Sequence, residues 1–293
     1  MKMLRGYLID PLNHLLNQVN DENMNENEKY NKSGLELDSV KEEIKEYWDR
    51  MREHAFFKDD AEEKLWKASL KDEFGADKLK ILDVGTGNGS LALVLAELGH
   101  DVIGIDISEG MLSVAKEKAS ERGVNPDLRI GDAESLEFGD ECFDAVVSRI
   151  VLWTLPHPER AINEWRRVLK PHGRAYTFEI ESWRDWKSAD RWIKGNLGLL
   201  LITVIERKNA WKRTHYSKDV NNSLPLSYDK ASSNVINKLE LFRKCGFVNV
   251  TAFEMVEVSE MSQKKAKDAP LRHKLAWGDM DNRMWYYIRG DKK

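Results

Sequence analysis

Asp83-Val84-Gly85-Thr86-Gly87-Asn88-Gly89 is the stretch on which the reading of this chain turns. The residues that lead into it, Lys80-Ile81-Leu82-Asp83-Val84, predict a short buried strand, and Leu91 to Leu98 behind it predict a helix. A strand that ends in Gly-x-Gly-x-Gly and runs straight into a helix offers backbone N–H groups and a helix N-terminus to a ligand, with no side chain to block close approach. Alone, such a turn also suits nicotinamide and flavin cofactors. An acidic residue ending the second strand, here Asp106, can hold ribose hydroxyls in each case.

Outward from the turn, strands and helices alternate. Asp101 to Asp106, Leu128 to Ile130, Phe143 to Ser148 and Arg174 to Ile180 read as further strands, with helices over Met111 to Arg122 and Ala161 to Leu169. A helix from Val235 to Cys245, a sixth strand from Phe247 to Val258 and a closing strand from Met284 to Arg289 complete the pattern. The expected fold class is α/β, a doubly wound, mostly parallel seven-stranded sheet of Rossmann-like type with helices on both faces.

The chain divides into an N-terminal extension and linker over 1–38, a helical prelude over 39–78, a ligand-binding core over 79–181, an insertion over 182–233, and the rest of the core over 234–293. The prelude spaces Val40, Ile44, Tyr47 and Met51 for burial on one side of a helix. The insertion carries Trp183, Trp186, Trp192, Trp211 and the apolar run Leu197 to Ile205, which predict a mainly helical cap over an apolar cavity. The run Lys264-Lys265-Lys267-Asp268 reads as a solvated loop.

With 293 residues, 41% of them hydrophobic, the chain can bury one large core. A formal charge of −4 leaves no global footprint for nucleic acid, which argues against that partner. The only two cysteines, Cys142 and Cys245, lie far apart and suggest neither a disulfide framework nor a metal site. No apolar run reaches transmembrane length and the start is wrong for a signal peptide, so a cytoplasmic protein is expected.

Three further features narrow the ligand. The glycines are packed as Gly85, Gly87 and Gly89, unlike the wider last gap of the dinucleotide fingerprint. Gly131-Asp132-Ala133-Glu134 follows the third strand and places a carboxylate where an adenine amino group could donate to it. The fourth strand runs into Arg149, Ile150 and Val151, at the carboxyl ends where such sheets bind ligands.

The ordered set Leu-Asp-Val-Gly-Thr-Gly-Asn-Gly, Gly-Ile-Asp-Ile-Ser-x-x-Met, Gly-Asp-Ala-Glu, Phe-Asp-x-Val-Val-Ser, Arg-Val-Leu-Lys-Pro-x-Gly and Cys-Gly-Phe resembles class I S-adenosylmethionine (SAM)-dependent methyltransferases, in the type 11 or ubiquinone-biosynthesis-like branch. The resemblance spans roughly Lys80 to Val258. It implies that Gly85, Thr86 and Gly87 approach the methionine part of SAM while Asp83 supports their loop. Asp106 would hold both ribose hydroxyls, and Ile107 and Met111 would lie against the adenine. Asp132, beside Ala133 and Glu134, would accept from the adenine amino group, Arg149 would border the methionine moiety through its backbone, and Tyr47 would fold over the cofactor. S-adenosylhomocysteine is the implied product. The chain departs from the family at His172, where Lys-Pro-Gly-Gly is usual.

The acceptor is less legible. Trp153, Trp183 and Trp186 are expected to line its pocket, and Glu181, His215 and Tyr216 are the groups on offer should a hydroxyl or ammonium acceptor need a base. A methyltransferase acting on an O, N or S atom of a small molecule is the leading expectation, as a monomer or homodimer. A protein methyltransferase is the rival within the fold, and a non-catalytic SAM-binding module the rival from another class.

Overall fold

The computed structural model describes residues 36–52, 59–182, 189–206, 216–226, 234–277 and 283–293. In chain order these form α1 (Leu37–Arg50), α2 (Asp60–Phe74), β1 (Lys80–Val84), α3 (Ser90–Glu97), β2 (Asp101–Asp106), α4 (Glu109–Arg122), β3 (Asp127–Ile130) and β4 (Phe143–Arg149). A 3-10 turn (Leu152–Thr154) leads to α5 (Pro158–Val168), β5 (Leu169–Ser182), α6 (Ala189–Glu206), α7 (Lys218–Ser223), α8 (Val235–Lys244), β6 (Val248–Glu254), α9 (Val256–Lys267), α10 (Leu271–Trp277) and β7 (Arg283–Asp291).

The seven strands form one sheet in the order β3-β2-β1-β4-β5-β7-β6. The first five are parallel, and β7 runs antiparallel between β5 and β6. This is the expected doubly wound architecture. The strand order reverses between β1 and β4, so the crevice beyond their carboxyl ends is where such a sheet binds ligands.

Helix starts follow local chemistry. Ser108 accepts from Met111 N at 3.0 Å to cap α4, and Asp59 accepts from Glu62 N at 3.0 Å to cap α2. At the far end of α4, Gly123 takes the left-handed φ of 66° that closes a helix without a Cβ penalty. One apolar cluster, around Phe143, Trp165 and Phe242, covers one face of the sheet. A second, around Trp66, Leu91 and Trp285, covers the other. A third and smaller cluster stands off the sheet, where Val40 and Ile44 of α1 meet Tyr216, Val220 and Leu224.

Two expectations need correction. The sixth strand stops at Glu254 rather than Val258, because Ser259 N donates to Met255 O at 2.8 Å and the Ser259 hydroxyl accepts from Trp285 N at 2.8 Å, which replaces the next ladder bond, and the buried side chains Met255, Val258 and Ser259 then follow helical spacing. Consequently Lys264, Lys265 and Lys267 form the last turn of α9 rather than a loop, where cations suit the helix dipole. Lys170 to Gly173 lies inside β5, as a register shift between the Phe143 and Ala145 pairings. There His172 adopts a φ of 63°, which accounts for the usual glycine, and its N–H donates to Lys292 O at 3.1 Å.

Candidate cofactor and acceptor site

Beyond the carboxyl ends of β1, β2 and β4 lies a cleft enclosing about 690 Å³, part of it open to solvent. Its floor is the glycine turn. Gly85, Gly87 and Gly89 have φ of 67°, 56° and 84°, the left-handed region that disfavours any side chain. At Gly85 sterics add to this, since a Cβ would lie 2.4 Å from Val151 Cγ2.

Two buried carboxylates hold the turn. Asp83 Oδ2 accepts from Thr86 Oγ1 at 2.7 Å and from Ala92 N at 3.1 Å, which ties the loop to the first turn of α3. Asp106 Oδ2 accepts from Gly87 N at 2.8 Å and its Oδ1 from Ser108 N at 2.9 Å. Burial pushes Asp83 up to about 7 and Asp106 to about 6; in each case the hydrogen bonds to the carboxylate pull only part of the way back. Asp106 reaches the cleft wall, with Ile107 and Met111 beside it. Asp83 and Thr86 instead line a smaller recess beneath the turn, which they share with Gly85, Ser90, Leu91 and Arg149.

Arg149 ends β4 and borders both the cleft and the recess. Its buried guanidinium lies 4.8 Å from the Trp66 ring and 5.1 Å from the Trp285 ring, a two-sided cation–π setting. Ile150 follows with a φ of 56°, rare for a β-branched residue, and its N–H donates to Phe178 O at 2.9 Å. That sharp turn brings Val151 over Gly85.

The opposite wall comes from α1, through Lys41, Ile44 and Trp48 at helical spacing. Lys41 Nζ is 2.6 Å from Asp132 Oδ2 and 2.8 Å from Glu134 Oε2, the two acids of the turn after β3. Asp132 Oδ1 also accepts from Glu134 N at 2.9 Å, and the fully buried Glu134 accepts from His157 N at 2.5 Å through Oε1. Burial works against the Lys41 charge, but the bonds to Asp132 and Glu134 outweigh it and hold the ammonium above its ordinary range. Farther along α1, Asp49 Oδ1 accepts from Ser108 Oγ at 2.6 Å and Gly110 N at 2.9 Å, pinning α1 to the start of α4.

Most of the expected residues therefore converge: Gly85, Gly87, Asp106, Ile107, Met111, Asp132, Ala133, Glu134 and Arg149 all line the cleft. Tyr47 does not. One helix position from Trp48, it points about 100° away and packs on Tyr216 with ring centroids 4.7 Å apart. Trp153 likewise stands behind the wall, 6.2 Å from the Trp48 ring and 5.6 Å from the Tyr216 ring, with Nε1 donating to Ile150 O at 3.1 Å. Tyr216 is buried in that aromatic cluster. Trp183, Trp186 and His215 lie outside the described residues, as does the side chain of Glu181 on β5.

Sequence reasoning missed Lys41 and Trp48 as wall residues, together with Thr154, Leu155 and Pro156, which close the cleft after β4. The helical face through Val40 and Ile44 carried a usable signal for the first two. Among the described residues, no group of three or more His, Cys, Asp or Glu could hold a metal ion.

Residues 82–177 match the model of a methyltransferase domain family. Over 96 residues, 32% of this chain, it is 43% identical to a phosphatidylethanolamine N-methyltransferase of Cereibacter sphaeroides. Over 169 residues, 53% of this chain, it is 32% identical to a ubiquinone/menaquinone biosynthesis C-methyltransferase of Bartonella tribocorum. The aligned parts span 47% and 63% of those relatives' lengths. A solved phosphoethanolamine N-methyltransferase 2 of Haemonchus contortus, in complex with S-adenosyl-L-methionine, shares the fold: 78% of this chain and 52% of that one superpose with a TM-score of 0.51 at 21% identity. Residues 82–177, about a third of the chain, thus match the methyltransferase domain model, within the seven-stranded sheet ordered β3-β2-β1-β4-β5-β7-β6.

Proposed function

We propose that this protein transfers a methyl group from SAM to an O, N or S atom of a small apolar molecule, releasing S-adenosylhomocysteine. The observation that carries the reading is the convergence of Gly85, Gly87, Asp106, Asp132 and Arg149 on one cleft at the strand-order reversal. The relatives, named as a phosphatidylethanolamine N-methyltransferase and a ubiquinone/menaquinone biosynthesis C-methyltransferase, support methyl transfer to a small molecule and differ in the acceptor atom.

The residues suit the cofactor. Gly85 and Gly87 leave a cradle that a Cβ would fill. In Asp106 each carboxylate oxygen spends one lone-pair direction on a backbone N–H, which leaves the other for a ribose hydroxyl. Ile107 and Met111 give an apolar bed for a purine ring, with Asp132 at its edge. SAM would supply an activated methyl group on a sulfonium. What the chain supplies is orientation: the acceptor must stand opposite the leaving sulfur, and well-oriented positioning accounts for up to ~7–11 kcal/mol of a barrier.

The acceptor side of the cleft is formed by Ile44, Trp48, Val151, Leu155 and Pro156. Such a wall excludes water and favours an apolar ring or chain over a phosphorylated or zwitterionic compound. Among the described residues, the titratable groups at the cleft are Lys41, Asp106, Asp132, Glu134 and Arg149, and all of them are held in the contacts described above. An acceptor that attacks without a strong protein base suits this set.

Titration calorimetry with SAM, S-adenosylhomocysteine and NAD tests the cofactor: saturable binding of the first two without the third is expected, and NAD binding alone defeats the reading. Incubation with isotopically labelled SAM and a lysate then tests transfer. Label in organic-extractable small molecules is the expected result, and label confined to protein would move the assignment to a protein methyltransferase.

A further inference from the structure

Three charged side chains meet where the turn after β3 faces α1: Lys41, Asp132 and Glu134. They differ in what they present to the cleft. The Glu134 side chain is fully buried, whereas those of Asp132 and Lys41 keep 33% and 18% of their surface. Glu134 is spent inside the protein, on the Lys41 ammonium at 2.8 Å and on the backbone N–H of His157. What a ligand meets is Asp132 beside Lys41, an acceptor and a donor 2.6 Å apart.

Lys41 stands on the same face of α1 as Ile44 and Trp48, which also line the cleft, so its stem runs along the cleft wall to reach the acids. An ammonium carries three N–H donors. Two are directed at Asp132 and Glu134, and among the described residues no further acceptor takes the third. Nor can the pair swing freely, because Asp132 Oδ1 is tied to Glu134 N at 2.9 Å while Oδ2 holds Lys41. A donor and an acceptor fixed side by side at a cleft edge form a preorganised reading head for a ligand edge with the opposite pattern.

Adenine has such an edge. Its exocyclic amino group donates, and the ring nitrogens that flank it, N1 on one side and N7 on the other, accept. A carboxylate alone reads only the amino group; a neighbouring ammonium also pairs with a ring nitrogen. Given SAM in this cleft, as proposed above, we infer that Lys41 reads the cofactor base: with Asp132 accepting from the adenine amino group, Lys41 donates its third N–H to a ring nitrogen beside that group. Helix α1 then recognises the cofactor rather than only covering it.

Titration calorimetry of the full chain with S-adenosylhomocysteine and its 1-deaza and 7-deaza analogues, in which C–H replaces one ring nitrogen, tests this role. In the wild type at least one analogue is expected to bind about tenfold or more weakly than S-adenosylhomocysteine. In Lys41→Met that gap should shrink to under about twofold. Since Lys41→Met leaves Glu134 buried without its cation, Lys41→Met with Glu134→Gln is the second variant, and the same closure of the gap is expected there. Circular dichroism verifies that each variant is folded. A lysine that only braced the turn would weaken all three ligands alike and leave the gap intact, and that result overturns the inference. So does a wild type that binds all three ligands equally. A wild type that binds none of them defeats the SAM reading itself, and the role of Lys41 falls with it.

Discussion

The cleft has two walls built on different principles. On the sheet side, the ligand-facing groups are backbone at strand ends, held by Asp83 and Asp106 through four hydrogen bonds of 2.7–3.1 Å in the protein interior. On the other side stands α1, which contributes no strand and touches the sheet domain through side chains: Lys41 on Asp132 and Glu134, Asp49 on Ser108 and Gly110, and an apolar cluster shared with Trp153, Tyr216, Val220 and Leu224. The first wall is preorganised by the fold. The second is fastened at a few points, so it can loosen without unfolding the sheet. Under the proposed function, cofactor geometry belongs to the rigid wall, and entry and retention to the fastened one.

The strongest way to break the rigid wall is at Gly85. Gly85→Val puts a branched side chain at a φ of 67° and a Cβ 2.4 Å from Val151 Cγ2. The backbone strain alone is ~1–3 kcal/mol, and with the cradle filled, SAM binding should fall by about 100-fold or more in calorimetry. Gly85→Ala paired with Val151→Ala should recover part of that loss. Equal binding by Gly85→Val and wild type would remove the turn from the site.

Asp106 comes next. Asp106→Ala should weaken SAM by ~1.5–3 kcal/mol, as the acceptor for the ribose hydroxyls and the anchor of Gly87 N are both lost. Its acidity adds a pH signature. The carboxyl sits near 6 and must be ionised to accept from both hydroxyls, so the wild-type dissociation constant should rise as pH falls below about 6. In Asp106→Asn that rise should flatten.

Asp83 gives the matching stability test. Its pKa is raised from 3.8 to about 7 by burial, so the folded state binds the proton more tightly than the unfolded chain. The associated stability is present below about pH 4 and is lost as pH climbs toward 7. Asp83→Asn keeps an oxygen for Thr86 and Ala92, and it should show a smaller fall in Tm over that window. Parallel Tm profiles would refute the buried-acid assignment.

These two acids and the glycines were legible in the sequence because left-handed turns and strand-end carboxylates demand particular residue types at fixed offsets. The sheet was legible for the same reason, through its alternating apolar runs. Lys41 was not: its partners lie 91 and 93 positions away, and an ion pair of that span leaves no local mark. The end of β6 was not legible because Met255 and Val258 fit a strand and a helix equally well until Ser259, whose hydroxyl takes the Trp285 N–H, bonds back to Met255 O. Trp48 was passed over for Tyr47, since apolar spacing locates a helix face only to within a residue.

The fastened wall should yield smaller effects. Lys41→Met leaves Glu134 buried without its cation, a ~1–3 kcal/mol loss of stability, and should weaken SAM by roughly tenfold as the turn around Asp132 loses its clamp. Gly110→Ala probes the other fastening, because its Cβ would lie 2.9 Å from Asp49 Oδ1 and 3.4 Å from Asp49 Cα. It should raise the SAM dissociation rate in stopped flow more than the association rate. If both variants changed stability but left cofactor kinetics alone, α1 would be a brace rather than a wall.

The smallest expected change separates neighbours on that helix. Tyr47 and Trp48 are both partly buried aromatics, but only Trp48 lines the cleft, while Tyr47 rests on Tyr216. Tyr47→Phe keeps the ring and removes only the hydroxyl, so stability should move by under about 0.5 kcal/mol and the SAM dissociation constant by under about twofold. Trp48→Ala, in contrast, removes part of the acceptor wall and should raise the acceptor KM while leaving the Asp106-centred cofactor contacts in place. If Tyr47→Phe weakened SAM as strongly as Trp48→Ala raised the acceptor KM, the tyrosine hydroxyl would have to reach the cofactor. α1 would then have to rotate by about one residue, some 100°, when ligand enters, which the Lys41 and Asp49 fastenings as they stand do not permit.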